Sequence, residues 1–277
     1  RVTSIEEFLR VGDTKIQLLR GGKGQPLVIL HGAGGGTGWL RFHELMARRF
    51  AVYAPVHPGF GASDDPEWLE GVDDLVLFYL DFLDTLGLRR VHLLGTSLGG
   101  WIAAELAVSH QHRLRSLILV DAAGIHVNGA EMADLFMMDP VTRAKTVYHN
   151  PAVLDQVLAV HPTPEMLQVE LRQRVTVAKL AWDPYFYNPK LLRRLGRIRV
   201  PTLILWGRHD RLIPSAVGEA YEKAIPGSRL AFIEEAGHVP LREAPDACAQ
   251  AITAFLKGRP DRARTTRRGS WNSTSST

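Results

Sequence analysis

Cysteine occurs once in the 277 residues, as Cys248, so no intrachain disulfide can staple the chain. It sits in an apolar-periodic run near the end, where a thiol with no neighbouring base reads as buried and inert. No apolar stretch approaches the roughly 20 residues that cross a bilayer, and no signal-peptide pattern opens the chain; the expectation is a cytoplasmic protein with no membrane span. Basic surface is also missing from the body. The net charge is +4, yet residues 257–277 hold six basic side chains against one acid, which leaves residues 1–256 near −1. Nucleic acid, whose binding needs phosphate neutralisation, is therefore not an expected partner. No G-x-x-x-x-G-K-S/T pattern accompanies the glycines at 32–36, which removes a phosphate cradle. His110 and His112 have no carboxylate or cysteine close by to complete a metal site, and their place near a helix end suits the helix dipole. Nothing calls for a cofactor or a metal, and the expected partner is a small-molecule substrate.

What is present is the rhythm of an α/β protein. Hydrophobic residues make up 45% and charged residues 22%, enough for a sizeable core. Short apolar runs at 15–19, 26–30, 50–53, 91–94, 117–120, 202–206 and 229–233 read as strands, several of them buried on both faces. Between them lie amphipathic stretches, among them a helix over 73–86 stopped by Gly87 and another over 101–108. The alternation predicts a mostly parallel central sheet flanked by helices. It breaks between about 124 and 195, where the chain turns helical and rich in Met, Leu, Arg and aromatics. That segment reads as a helical insertion between two strands. Beyond residue 257 the composition is Arg, Ser and Thr, which reads as a disordered basic tail or as residues foreign to the fold.

One segment carries strong chemistry. Gly95-Thr96-Ser97-Leu98-Gly99 is a G-x-S-x-G sequence lying after a strand and before a helix, the setting of a nucleophile elbow. The turn is tight, so a Cβ two residues to either side of the serine would collide with its neighbours. Ser97 is thereby raised to the sheet edge at a helix N-terminus, where developing negative charge is favoured. A serine hydroxyl is too weak an acid to attack at neutral pH and needs a base. His238, in Gly237-His238-Val239-Pro240 just after the final strand, can supply it. Asp210, after the strand at 202–206, can hold the imidazole tautomer and stabilise its cation. The backbone N–H groups of Leu98 and Ala33 are the candidate oxyanion donors, the second in the small-residue loop His31-Gly32-Ala33-Gly34-Gly35-Gly36.

From about residue 5 to residue 257 the chain resembles the α/β-hydrolase superfamily, with elements in matching order. The His31–Gly36 loop is similar to that family's oxyanion loop, and Ser97, Asp210 and His238 follow its order of nucleophile, acid and base. The resemblance implies a core of residues 1–123 and 196–257, a helical lid of residues 124–195, and a tail at 258–277. Asp121 is the rival acid, because some relatives place the carboxylate after the preceding strand. His57 stands near a position where relatives often carry aspartate, and is read as a turn residue. Substrate contacts are expected from Gly34, Trp39, Trp101, Phe136, Trp182 and Val239. The leading expectation is hydrolysis of small, mostly apolar carboxylic esters through an acyl-enzyme. The first alternative is cleavage of a carbon–carbon bond in ring-fission products, by enzymes whose glycine-rich loop looks like this one. Those enzymes typically have tryptophan where Val239 stands, and need a basic residue for the substrate carboxylate. Arg143, Arg172 and Arg174 are the candidates. The second alternative is a ligand receptor of the same fold with slow or no turnover. Halide or epoxide chemistry, which normally uses an aspartate nucleophile, is disfavoured by Ser97. Oligomeric state is not legible.

Overall fold

The computed structural model describes residues 3–36 and 38–257. Eight strands form one sheet: β1 (Ser4–Val11), β2 (Thr14–Gly21), β3 (Gln25–Leu30), β4 (Phe50–Pro55), β5 (Val91–Thr96), β6 (Leu114–Val120), β7 (Thr202–Gly207) and β8 (Arg229–Ile233). Their order across the sheet is β1-β2-β4-β3-β5-β6-β7-β8. The first two pairings are antiparallel and all the others parallel. The seven strands expected from apolar runs are all present, and their central members are buried on both faces.

β1 is the strand that the apolar runs do not signal. It forms a hairpin with β2 around Gly12, which has φ +59. At the sheet edge only Val11 of its eight residues is buried, while Ile5 and Phe8 stay about half exposed. An edge strand with so little burial carries no clean alternation to read.

Helices cover both faces. α2 (Val72–Thr85), α3 (Leu98–His110) and α8 (Ser215–Ala224) pack one side, where Trp206, Tyr79 and Tyr221 are among the largest buried side chains. α1 (Arg41–Ala47), α9 (Pro240–Glu243) and α10 (Pro245–Lys257) pack the other. Cys248 is fully buried there, and that burial raises its thiol pKa far from any reactive value. α3 is apolar around most of its circumference because it lies between the sheet and α2, so it shows no amphipathic stripe.

Four helices fall between β6 and β7: α4 (Pro140–Val147), α5 (Pro151–Leu158), α6 (Pro164–Ala181) and α7 (Leu191–Arg194). The first part of the segment, 124–139, is irregular where helix was expected. Gly124 and Gly129 take positive φ, and the Asp134 carboxylate turns the chain by accepting the Phe136 and Met137 N–H groups. The tail expectation for 258–277 lies outside the described residues. Among the described residues no helix is long and apolar enough to cross a membrane.

The strand order reverses at β3, which has β4 on one side and β5 on the other. Such a switch point leaves a crevice beyond the carboxyl ends of the strands, and the loops after β3 and β5 open into it. Ile204→Ala, in a fully buried central strand, is expected to cost about 2–5 kcal/mol in chemical denaturation. Ile5→Ala, on the half-exposed edge strand, is expected to change stability by no more than about 0.5 kcal/mol.

Candidate active site

Ser97 joins β5 to α3 with φ 53 and ψ −116, a backbone conformation that costs free energy for a residue with a Cβ. Hydrogen bonds hold it there. Its N–H donates to Val120 O at 3.0 Å, and its carbonyl accepts from Trp101 N and Ala123 N, each at 3.1 Å. The flanking glycines have no room for a side chain: a Cβ on Gly95 would meet the Gly99 carbonyl, and one on Gly99 would meet those of Leu30 and His31. The site is therefore a point where β3, β5 and α3 touch backbone to backbone.

Asp210 lies in the turn after β7 with its carboxylate fully buried. Oδ1 accepts the Leu212 and Ile213 N–H groups at 2.8 and 2.9 Å, which fixes the carboxyl plane. Oδ2 lies 2.8 Å from His238 Nδ1. The imidazole thus donates through Nδ1, leaving Nε2 as its basic nitrogen. Asp210 and His238 are joined by this bond, and among the described residues no hydrogen bond joins the Ser97 hydroxyl to them. Such bonds often tighten only when substrate is present. The Ala33 and Leu98 N–H groups are not engaged by backbone carbonyls among the described residues, and Gly32 lies against the Ser97 side chain.

The rival acid is close as well. Asp121, at the end of β6, is fully buried, and one ligand atom each from Asp121, Asp210 and His238 lie within 4.8 Å of one another. The 2.8 Å from Nδ1 to Oδ2 is a direct hydrogen bond between the two side chains.

Two supporting networks were not foreseen. The first locks the loop after β3. His31 Nδ1–H donates to Gly32 O at 2.8 Å, and Nε2 accepts the His57 N–H at 2.9 Å. His57 Nε2–H donates to His31 O at 2.8 Å, and Tyr79 O–H donates to His57 Nδ1. The chain of donors closes only if both rings are neutral. Burial enforces that, holding His31 down to about 4 and His57 well below its ordinary value, while it keeps the Tyr79 phenol protonated. His57 is thus more than a turn residue, since its ring is part of the support of the loop after β3.

The second network ties the insertion to the loops bearing Asp210 and His238. The buried Glu243 carboxylate accepts three N–H groups, from Gly237 at 2.7 Å and from His149 and Asn150 at 2.6 Å. His238 N–H donates to Val147 O at 2.8 Å, Arg211 reaches the Lys145 and Tyr148 carbonyls, and the His149 and His209 rings stack at 3.8 Å. From the far side, α6 meets the loop after β4, where Gln173 Oε1 accepts Gly61 N–H at 3.0 Å and Thr176 Oγ1 donates to Gly59 O at 3.1 Å.

The expected substrate contacts divide. Gly34 is exposed beside the candidate oxyanion donor, and Val239 is half-buried next to His238. Phe136 stands in an aromatic group with Trp182, Tyr185 and Phe186. The three tryptophans lie in different surroundings. Trp101 is buried in the core with its Nε1–H on Glu105, because the inner side of α3 faces β6 and the segment at Gly124. Trp39 packs on Gly21 and His43. Trp182 is 62% exposed at the end of α6, on the outer surface of the insertion. Arg143 pairs with Glu170, and Arg172 bonds the Gly61 and Ser63 carbonyls. A cavity of about 200 Å³ lies beside the site, lined by Ala123, Ile125, Met132, Phe186 and Ile213, with His126 and Glu131 also on its wall.

Comparison with known proteins follows this geometry. Residues 27–251 match the family model described as "Alpha/beta hydrolase family". The 2-hydroxy-6-oxo-6-(2'-aminophenyl)hexa-2,4-dienoic acid hydrolase of Metapseudomonas resinovorans is 27% identical, over 93% of this chain and 92% of its own length. The 2-hydroxy-6-oxononadienedioate/2-hydroxy-6-oxononatrienedioate hydrolase of Burkholderia vietnamiensis is 29% identical, over 84% of this chain and 87% of its own. Among solved structures, a bacterial membrane phospholipase A is 28% identical with a TM-score of 0.73, covering 92% of this chain and 86% of its own.

The histidine network sets a pH dependence. A histidine whose folded pKa is depressed stays neutral in the native state and charges on unfolding, so the unfolded chain binds more protons below 6.5. Stability is therefore expected to be full above about pH 6.5 and to fall as pH drops towards 4. Denaturation midpoints across that window check it, and His57→Gln should flatten the slope.

Proposed function

The chain belongs to the alpha/beta hydrolase family, and on that basis we propose that it is a serine-nucleophile hydrolase acting on 2-hydroxy-6-oxo-dienoic acids, cleaving the carbon–carbon bond beside the 6-oxo carbon. The observation that carries this reading is the similarity, over more than four-fifths of both chains, to relatives named for such acids. It displaces the leading expectation of a carboxylesterase, whose support stays at the level of the family.

In this reading Ser97 Oγ adds to the 6-oxo carbon while His238 Nε2 takes its proton. Asp210 holds the Nδ1–H, keeping Nε2 free, and stabilises the imidazolium. The oxyanion is met by the Ala33 and Leu98 N–H groups, and loss of one such donor costs about 10²–10³-fold in rate. As the adduct collapses, the carbon–carbon bond breaks and its electron pair stays on the released carbon, in the plane of the diene. The imidazolium returns its proton to that carbon. Water then attacks the acyl-Ser97 ester with His238 again as base, releasing the second acid and restoring the serine. Helices α4–α7 act as the lid. Their ties to Gly237, His238 and Gly61 place substrate selection on the same segment that steadies the base.

A second reading, ester hydrolysis, is favoured by specific observations. Val239 stands where a tryptophan is typical of the ring-fission hydrolases, the Arg143 and Arg172 guanidinium groups are engaged elsewhere, and a phospholipase A shares the fold at 28% identity. For an ester, the departing alkoxide takes the His238 proton and every other step is the same.

Initial rates on a 2-hydroxy-6-oxo-dienoate and on p-nitrophenyl acetate, butyrate and octanoate separate the two. Dienoate loss above about 1 s⁻¹ with slow ester turnover is the expected result. Fast ester turnover with an inert dienoate would move the assignment to esterase. In either case Ser97→Ala is expected to lower kcat by about 10⁴-fold or more, and Asp210→Asn by about 10⁴-fold.

A further inference from the structure

Asp121 is a buried titratable group beside Asp210 and His238 for which the proposed reaction has no use. It closes β6 with φ 43, in left-handed backbone that a non-glycine residue rarely adopts, and its side chain is fully excluded from water. Oδ1 accepts the Gly207 N–H at 2.8 Å. Oδ2 is equally buried, and no N–H or O–H donor reaches it. The groups that face it are the Asp210 carboxylate, the His238 ring within the same cluster, the Glu243 carboxylate and the Cys248 thiol.

Two carboxylates this close in a dry interior cannot both be ionised. Hydrogen bonding decides which keeps the charge. Asp210 accepts three N–H donors, from Leu212, Ile213 and His238. Asp121 accepts one. Glu243 is stabilised as an anion by its own three N–H donors, and its charge further opposes ionisation of Asp121. The proton therefore belongs on Asp121 Oδ2, the oxygen without a donor, and from there it can be donated to Asp210.

The geometry points to Asp121 as a neutral carboxylic acid at working pH, a positioning residue whose Oδ2–H donates to Asp210 and limits the charge behind His238 to one. Burial first, and then the Asp210 charge, push Asp121 well above the usual carboxylate range, in agreement. The donated proton draws electron density from Asp210. It thereby weakens Asp210 as an acceptor of the His238 Nδ1–H, and so as a stabiliser of the imidazolium formed in the reaction. The inference rests on the triad reading for its effect on catalysis, and on the packing alone for the location of the proton.

Two measurements on the full chain test it. The infrared spectrum of the wild type minus Asp121→Asn is expected to show the carbonyl stretch of one protonated carboxyl group at neutral pH. This readout does not depend on activity. The second is the rate at which a fluorophosphonate labels Ser97 as a function of pH, which follows the titration of the base without a known substrate. Asp121→Ala is expected to move the acid limb of that profile up by about one unit. Asp121→Asn, whose amide can still donate to Asp210, should restore it. A carboxylate band in place of the protonated one, or an acid limb that drops by about one unit in Asp121→Asn as it would on loss of a real negative charge, overturns the proposal. If Ser97→Ala is still labelled, the triad reading fails, while the infrared difference still decides where the proton is.

Discussion

The site depends on one contact: the close approach of β3, β5 and the start of α3 around Ser97. The serine holds an unfavourable φ of 53 because its N–H is bonded to β6 and its carbonyl to Trp101 and Ala123, so relaxing it would break bonds in two neighbouring elements. The same approach excludes side chains from Gly95 and Gly99, and it brings the loop after β3 against the serine. Strain, glycine spacing and the candidate oxyanion donors are thus consequences of one packing event.

Burial governs the electrostatics around that contact. With little water to screen them, charges are kept few. His31 and His57 are held neutral because each ring must donate from one nitrogen and accept at the other. Asp210 and Glu243 bear negative charge only because each carboxylate accepts three N–H groups. Asp121, with one, does not fit that rule as an anion. What remains is a single charge hydrogen-bonded to His238, which suits a base that must become a cation during the reaction and return to neutrality after it.

The sheet and the three candidate catalytic residues were legible because each is announced by a short local pattern, an apolar run followed by a turn. Ser97, Asp210 and His238 all lie just beyond strands, so their convergence at one sheet edge follows from strand order alone. The supporting residues have no such signature. Glu243 and Asn150 are 93 positions apart, and His57 and His31 are 26 apart, so their bonds exist only once the chain has folded. The surroundings of the tryptophans were not legible for a related reason. Trp39, Trp101 and Trp182 are of a residue type that suits a pocket wall, a core or an exposed helix end equally well, and only packing decides among them.

The insertion is tied to the loop that carries the candidate base. Val147 accepts the N–H of His238, and the adjoining turn shares the Glu243 carboxylate with Gly237, so a shift in α4 or α5 must move the base as well. Chain variation in this segment therefore changes the pocket wall and the tuning of His238 together. That coupling explains how a common triad can serve ester and carbon–carbon cleavage on one scaffold. The steps differ only in the atom that receives the imidazolium proton, an alkoxide oxygen or a carbon that must be held in line with Nε2. Carbon protonation is the more demanding of the two in geometry. A hydrolase of dienoic acids would then need its insertion fixed to the histidine loop by several bonds, and Glu243, Arg211 and Val147 provide such an attachment.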